Sequence, residues 1–494
     1  MNDDTMANGA QEPRAWGRRG FIGGLGVGTA GLLAAGAITA QPAAATTGAA
    51  AWSVYYVDIS QGANEVPIQA ALNAAQANGG GQVVLGPGHW VISNYLRITA
   101  NIQLTLTPHT TLTRAAGSLQ FMLINGTRYG TGNATDDAIS GYGGYGNIIV
   151  EGGIWDVNGP VPSDTSVGYN GLSFSHAQNV TVRDLEVRNV SNWHAVKFQG
   201  VSNGTVENCR FIGYVAGPAA ATRTESEAVS IDSCWAGTSM YNTAVGKADH
   251  TTCVDIRIIN NYCDAGTSNN YPVFAGGHNG ELGYWHHRVE ISGNSVGNAT
   301  SFAIYAFNTN QLIVSNNKIH DSFGGIRVSR DYSDDVQAQP HPAWDFIVSG
   351  NVLETITGDR GIEIFGGGTD TSQTPAIPAT ASRSVVTGNL VHTAQKAGIH
   401  ALFAPDALVT GNLVYNIHGN DAASGITADG ICVQNSPGAN VNGNTIRTCD
   451  GYGVNFLSSP NGMATGNSLS AAALGAVNVS TDSANVLNAT NLAF

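Results

Sequence analysis

Carboxylates, histidines and a lysine gather in two parts of this chain in patterns that suit proton transfer. The first group is Lys197, Glu227 and Asp232, with His194 just ahead of Lys197 and with Asp249 and His278 on flanking segments. Paired carboxylates can act as acid and as base or nucleophile, and His can serve either way. Glu227 and Asp232 are separated by an odd number of residues, so a straight strand would turn them to opposite faces and a bend must bring them together. The second group is Arg327, Glu363 and His400, with Asp331, Asp334, Asp335 and Asp359 nearby. A surface Arg-Glu-His ladder is the plain reading of this group, and a distal binding subsite is the other. Lys197, Arg327, Tyr305 and His278 also form a set that could neutralise a carboxylate and remove a neighbouring proton.

These residues need elements that place them side by side, and a repeat supplies them. Val386-Thr387-Gly388-Asn389-Leu390-Val391 returns as Val409-Thr410-Gly411-Asn412-Leu413-Val414. With Asn as marker, the unit is read at Asn208, Asn261, Asn294, Asn317, Asn351, Asn389, Asn412, Asn444 and Asn467, and three of the separations are 23 residues. That length is too short for paired helices, and the apolar residues alternate, so each unit is short strands and tight bends. No unit can bury its apolar side alone, and stacking at roughly 4.8 Å per strand follows. The expected fold is all-β, a right-handed parallel β-helix with an N-terminal capping helix over Val66–Ala77, capped by Asn64 and stopped at Gly79-Gly80-Gly81. The marker Asn residues are expected to stack as an amide ladder at one bend.

Overlaying the strands gives an outward row of Ser173, Lys197, Ser230, Tyr305, Arg327, Glu363, His400, Cys432 and Asn455, with a second column of Gln199, Asp232 and Ser329. Alternation turns this row to solvent. The widest gap between markers, Asn208 to Asn261, carries Glu225, Glu227 and Asp232, and an aromatic, His-rich piece from Tyr271 to His287 follows it. Insertions of this kind build the walls of a site. Trp235, Trp285 and Tyr305 offer faces for sugar rings, and His194, Gln199, Arg327, Glu363 and His400 are the polar candidates for substrate contact.

Only 11% of the residues are charged and the net charge is −14, which argues against a nucleic-acid partner. The six cysteines form no CxxC pair, so zinc is not expected and no metal ligands are assigned. Cys234 and Cys253 bracket one irregular segment and could be bridged or be buried thiols. Residues 1–50 look like a twin-arginine signal peptide and small-residue leader: Arg18-Arg19-Gly20-Phe21-Ile22, an uncharged run from Gly23 to Ala40, then Ala43-Ala44-Ala45. Export in the folded state to the extracellular space is implied, with no membrane span retained, and residues 51–494 are read as one β-helix domain.

The order Ile68-Gln-Ala-Ala-Leu72, Gly-rich turn, Val83-Val84-Leu85, Pro87-Gly88 and Leu104-Thr105-Leu106 resembles the opening turns of the pectin-lyase-like β-helix superfamily. The stretch from Ile149 to Trp155-Asp156 and Gly159 resembles polygalacturonase-type members. The resemblance implies a carbohydrate-active protein that cleaves glycosidic bonds in a polysaccharide. Two readings of the reaction remain: hydrolysis, which is preferred, and β-elimination on a polyuronate, for which calcium is a candidate cofactor; hydrolysis requires none. A non-catalytic carbohydrate-binding or cell-surface protein is the reading from another class. The tandem Asp-Asp and Asn-Thr-Asp motifs of polygalacturonases are absent in strand context, so no catalytic residue is carried over. Asp232, Glu227, Lys197 and His278 are therefore assigned as catalytic from this sequence itself: Lys197 and Asp232 from the two columns, Glu227 from the bend ahead of Asp232 and His278 from a flanking loop, in the cluster that the longer insertions enclose. Sugar identity and oligomeric state stay open.

Overall fold

The computed structural model describes residues 52–117, 121–127, 134–159, 169–215, 226–235, 245–266, 270–278, 284–329, 343–366, 368–370, 377–379, 381–419 and 427–494. The leader 1–50, Glu225, Asp331, Asp334, Asp335 and His341 lie outside them. The described chain winds through three parallel sheets of 15, 13 and 14 strands, each rung adding one strand to each sheet. This is the right-handed parallel β-helix.

Strand formation follows the alternation of side chains. Ile102–Leu106 buries Ile102, Leu104 and Leu106 and leaves Gln103 and Thr105 partly exposed, as a strand with one face on a core requires. Stacking then lines the interior with one continuous apolar column that includes Trp90, Trp155, Phe174, Phe198, Phe211 and Phe456. The 13-stranded sheet departs from this pattern where the first charged group lies. Asn170–Ser175, Val196–Gln199 and Glu227–Asp232 are buried on both faces. The outward row is therefore not a solvated face here, because alternation assigns side chains to faces and does not report whether a face meets solvent.

The amide ladder is present and its phase differs by one residue from the sequence reading at its first member. The ladder runs from Asn261 through Asn294, Asn317, Asn351, Asn389, Asn412, Asn444 and Asn467 to Asn491, and from Asn294 on each side-chain oxygen accepts the backbone N–H and the amide N–H of the Asn one rung earlier. Asn208 is exposed and aligns with Asn260, while Cys209 takes the ladder position and donates its backbone N–H to Asn261. The left-handed residue is the one before each ladder Asn, such as Asn260 and Asn316 with φ of 57° and 56° or Gly388 with 63°. That position, and not the buried amide, exploits the tolerance of Asn and Gly for positive φ.

A helix, Glu65–Ala77, covers the N-terminal end of the solenoid, with Asn64 accepting the backbone N–H of Val66 at 3.1 Å. Ile68, Leu72 and Ala75 join the interior column, so the helix closes the bare end of the core. All six cysteines are free and buried, Cys234 and Cys253 included.

Asn317→Ala would strand the amide donors of Asn294 and the carbonyl of Ile291 in the buried stack. A loss of about 3 kcal/mol in unfolding free energy is expected by chemical denaturation. Asn208→Gly, outside the stack at a left-handed position, should stay within about 0.5 kcal/mol.

Candidate functional site

Parallel pairing sets which side chains meet. Ser173 pairs with Lys197, Lys197 with Ser230, Ser230 with Gly276, Gly276 with Tyr305, Tyr305 with Arg327, Arg327 with Glu363 and Glu363 with His400. The row read from the sequence is thus in register, with Gly276 as the member it lacked. Gln199 pairs with Asp232 in the second column.

Five of the assigned residues come together at Glu227–Asp232 and the strands beside it. The Lys197 ammonium lies 2.8 Å from Asp232 Oδ2, and both side chains are at most 1% exposed. Ser230 donates its hydroxyl to the same oxygen at 3.2 Å. The other oxygen, Oδ1, is buried without a hydrogen-bond partner among the described residues. Burial alone would raise the Asp232 carboxyl, but the Lys197 ammonium and the two histidines outweigh it and hold it well below the carboxylate range. Asp232 is ionised.

Glu227 is the first residue of its strand, and its carboxylate meets the histidines at that end despite its odd separation from Asp232. His278 Nδ1 is 2.9 Å from its Oε1, and His194 Nδ1 is 3.1 Å from its Oε2. One carboxylate therefore faces two imidazoles. Burial pulls the His278 imidazole down, yet the charge and hydrogen bond of Glu227 prevail and push it up to about 9. His194, fully enclosed, is lowered because desolvation wins there. Glu227 is lowered as well: burial opposes ionisation, and the His278 charge with the two imidazole contacts overcomes it. The pair shares one proton, which resides on His278. Of the five residues His278 is the most open, with 13% of its side chain exposed.

Around them, Gln199 is buried and donates to the Ser233 carbonyl at 3.2 Å, which makes it a support for the end of the Asp232 strand and not a substrate contact. Trp285 belongs to the interior column and is 8% exposed, so it is also withdrawn as a sugar-stacking surface. Trp235 is half-buried just past Asp232, where a turn ties its N–H to Ser233. Asp249 is not in the cluster; it accepts from Gly141 and Thr251 and fastens that loop. Asn170, which accepts the His194 N–H at 3.1 Å, had no signal in the sequence beyond its place one rung earlier. His286 lies behind the cluster, accepts the Cys253 N–H at 3.0 Å and is lowered to about 4, chiefly by burial.

The second group is also buried and is not a surface ladder. Glu363 is 2% exposed and His400 is fully buried. Arg327 Nε approaches Glu363 Oε2 at 3.1 Å, Arg360 Nε approaches Oε1 at 3.4 Å and His400 Nδ1 approaches Oε1 at 3.4 Å. Burial raises the Glu363 carboxyl, but His400 and the two guanidinium groups bring it down to about 2. Asp359 pairs with Arg360 at 2.8 Å and with Lys396 at 3.0 Å. Arg360, three residues before Glu363, is a member of this group that the strand overlay does not contain. Tyr305, half-buried, accepts the Ser329 hydroxyl at 3.2 Å.

Among the described residues, two sets of side chains have donor atoms grouped within 4.8 Å: His194, Glu227 and His278, and His176, Cys234 and Asp249. The first set has the donor chemistry of a transition-metal site. His176 instead places Nδ1 2.7 Å from the Gly141 carbonyl and Nε2 2.9 Å from that of Lys247, which occupies both ring nitrogens. Among the described residues no helix is long and apolar enough to cross a membrane.

Comparison with known proteins places the fold. Residues 355–492 match the family model described as a right-handed beta helix region. Plasmin and fibronectin-binding protein A of Streptococcus pneumoniae is 26% identical over 161 residues, which cover 30% of this chain and 21% of that protein. The chain thus matches about a fifth of the length of that relative. The surface adhesin PfbA of S. pneumoniae superposes with a TM-score of 0.66 at 15% identity, over 81% of this chain and 100% of that one. The A-module of the mannuronan C-5 epimerase AlgE6 of Azotobacter vinelandii gives 0.54 at 14% identity, covering 87% and 95%. A tailspike of Escherichia coli bacteriophage HK620, solved with a pentasaccharide, gives 0.55 at 16% identity, covering 86% and 74%. At these identities the likeness is one of fold.

Lys197→Met would leave the Asp232 charge buried without its counter-ion. A loss of roughly 3–5 kcal/mol is expected in chemical denaturation, largely recovered when Asp232→Asn is added. A second outcome concerns pH. Because His278 is raised in the folded state from 6.5 to about 9, its contribution to stability is complete below about 6.5 and disappears as pH rises through about 9. Unfolding free energy of the wild type should fall across that window, and His278→Gln should flatten the fall.

Proposed function

We propose that this protein cleaves glycosidic bonds of a polysaccharide by hydrolysis, with His278 as general acid and Asp232 as the carboxylate that takes a proton from the attacking water. The observation that carries the reading is the pairing of opposite protonation states in one cluster. His278 is kept charged by Glu227, and Asp232 is kept ionised by Lys197. Acid–base cleavage needs one group of each kind on the two sides of a single bond.

The role of acid, which the sequence suggested for Glu227, passes to His278, since Glu227 is ionised, fully enclosed and engaged by two imidazoles. With Nδ1 turned to Glu227, Nε2 of His278 delivers the proton to the leaving oxygen. Asp232 Oδ2 is held by Lys197 and Ser230, and the unpartnered Oδ1 is the acceptor for water, which adds to the sugar carbon as its proton moves to the carboxylate. Glu227 and His194 keep the His278 ring charged and aimed. No cofactor enters these steps. β-Elimination draws on Lys197 to neutralise a uronate, but its ammonium is already committed to Asp232 at 2.8 Å. Calcium belongs only to that alternative.

A second reading is a non-catalytic glycan-binding or surface protein. The complete burial of Glu227 and Asp232 favours it, as does the shared fold with an adhesin. In either case the partner is a polysaccharide and the setting extracellular.

Neutral and uronate-containing polysaccharides incubated with residues 51–494 should yield new reducing ends without the ultraviolet absorbance of unsaturated uronates. His278→Gln and Asp232→Asn should each lower kcat by about 10²-fold or more while circular dichroism stays unchanged. Reducing ends accompanied by absorbance would move the reaction to elimination. Depletion of a glycan with neither signal would move the protein to the binding class.

A further inference from the structure

We propose that His194, Glu227 and His278 bind a divalent transition-metal ion, which takes the place of the proton shared by Glu227 and His278. The site does not rest on the hydrolytic reading above. An ion held there would block that reaction, because His278 with a metal on Nδ1 cannot be the charged acid. The separations along the chain, 33 and 51 residues, match no short metal-binding motif. Stacking brings the three together. His194 stands just ahead of the strand Val196–Gln199, Glu227 opens the next strand of the sheet, and His278 follows the one after, Val273–Gly276. One donor thus comes from each of three consecutive rungs.

Both imidazoles turn the same nitrogen to one carboxylate. His194 Nδ1 is 3.1 Å from Glu227 Oε2, and His278 Nδ1 is 2.9 Å from Oε1 and 3.0 Å from Oε2. Bonds of about 2.0–2.2 Å set neighbouring ligands of a tetrahedral ion about 3.4 Å apart, so shifts of a few tenths of an ångström turn these contacts into coordination. Two imidazole nitrogens with one carboxylate suit zinc and its first-row neighbours; calcium takes oxygen ligands. The supports are rigid. Asn170 accepts the His194 backbone N–H at 3.1 Å, and a Cβ on Gly277 would lie 2.3 Å from the Ile231 carbonyl oxygen, so the chain entering His278 lies hard against the Glu227–Asp232 strand. The same Cβ would lie 3.8 Å from Asp232 Oδ1, the buried oxygen without a hydrogen-bond partner among the described residues. Water carried by an ion beside His278 supplies a donor that this oxygen lacks. Repulsion from Lys197 is reduced, since its ammonium is paired with Asp232 at 2.8 Å. The way in is past His278, the most open of the three ligands. On binding, each Nδ1 gives its lone pair to the ion, any proton there leaves to solvent, and Nε2 of each ring keeps its hydrogen.

Protein without a histidine tag, freed of metal by chelator and titrated with zinc in a calorimeter, should take up one equivalent with a Kd below about 10 µM. Cobalt(II) in place of zinc should give two hyperfine-shifted, solvent-exchangeable imidazole N–H signals by NMR, one from each ring. This readout uses the wild type and needs no variant to fold. His278→Gln should remove one of the two signals and weaken zinc binding by about tenfold or more. His176→Gln, in the other set of donors, should change neither. No stoichiometric uptake of zinc, fewer than two imidazole signals, or full affinity in folded His278→Gln would overturn the proposal. Loss of binding in His176→Gln with His278→Gln unaffected would overturn it too, by moving the ion to the other set. If the hydrolytic reading holds, one equivalent of zinc should abolish the new reducing ends and a chelator should restore them. Zinc bound at these residues with hydrolysis undiminished would keep the metal site and remove His278 as the acid. Zinc uptake by a protein that cleaves no glycan would keep the metal site and remove hydrolysis.

Discussion

Everything in this molecule depends on rung-to-rung registry. A strand slipped by one residue would exchange its inward and outward side chains, emptying the apolar column and scattering the charged row together. The buried amide stack from Asn261 to Asn491 guards that phase. Each amide oxygen takes two donors from the rung before, and each amide nitrogen returns one bond to a backbone carbonyl and passes one onward, as Asn317 does to Ile291 and Asn351. A buried amide left half-satisfied is expensive, so the phase of one rung dictates that of the next. In consequence Lys197 meets Asp232 across 35 positions of sequence, and Arg327 meets Glu363 across 36.

The electrostatics of the row make sense only against that rigidity. Enclosing Lys197 and Asp232 forfeits their hydration, and a well-packed apolar pair could serve stability as well. What the ion pair adds is a fixed resting protonation state: Lys197 holds Asp232 ionised, and Glu227 holds the proton on His278. Around Glu363 the balance differs. Among the described residues its carboxylate meets two guanidinium groups, and Arg327 is the more exposed of the two. The same sheet thus carries one cluster closed upon itself and one that is open.

The repeat made much of this legible. Period, strand alignment, row membership, the capping helix and the meeting of Lys197, Glu227, Asp232, His194 and His278 followed from spacing, because a solenoid converts sequence distance into neighbourhood by a constant rule. The failures lie where that rule does not reach. Asn208 misled because two Asn residues, Asn260 and Asn261, stand at the bend, and the ladder member opposite them is Cys209. Alternation turns Ser173, Lys197 and His400 outward, yet all three are buried, since alternation names a face and not its exposure. Trp285 was counted as a stacking surface because an aromatic beside histidines looks the same in sequence whether it faces a groove or the core. The protonation of Glu227 depends on which partners close around it in three dimensions, and spacing alone does not contain that.

A β-helix of this kind serves an adhesin, an epimerase and a sugar-binding tailspike at 14–16% identity to this chain, so the backbone does not choose among them. The choice must be argued from what the row carries. A surface that only holds a glycan needs donors, acceptors and rings near solvent, and it gains nothing from sealing an imidazolium against a carboxylate behind the sheet face. In this chain the outermost member of the sealed cluster is the imidazolium itself, and the same cluster holds Asp232 Oδ1, a carboxylate oxygen with no hydrogen-bond partner among the described residues. An arrangement that holds a proton on one side and an empty acceptor on the other is costly as a binding surface and apt as a reaction centre. Under the hydrolytic proposal, that asymmetry is what the N-terminal half of the row supplies.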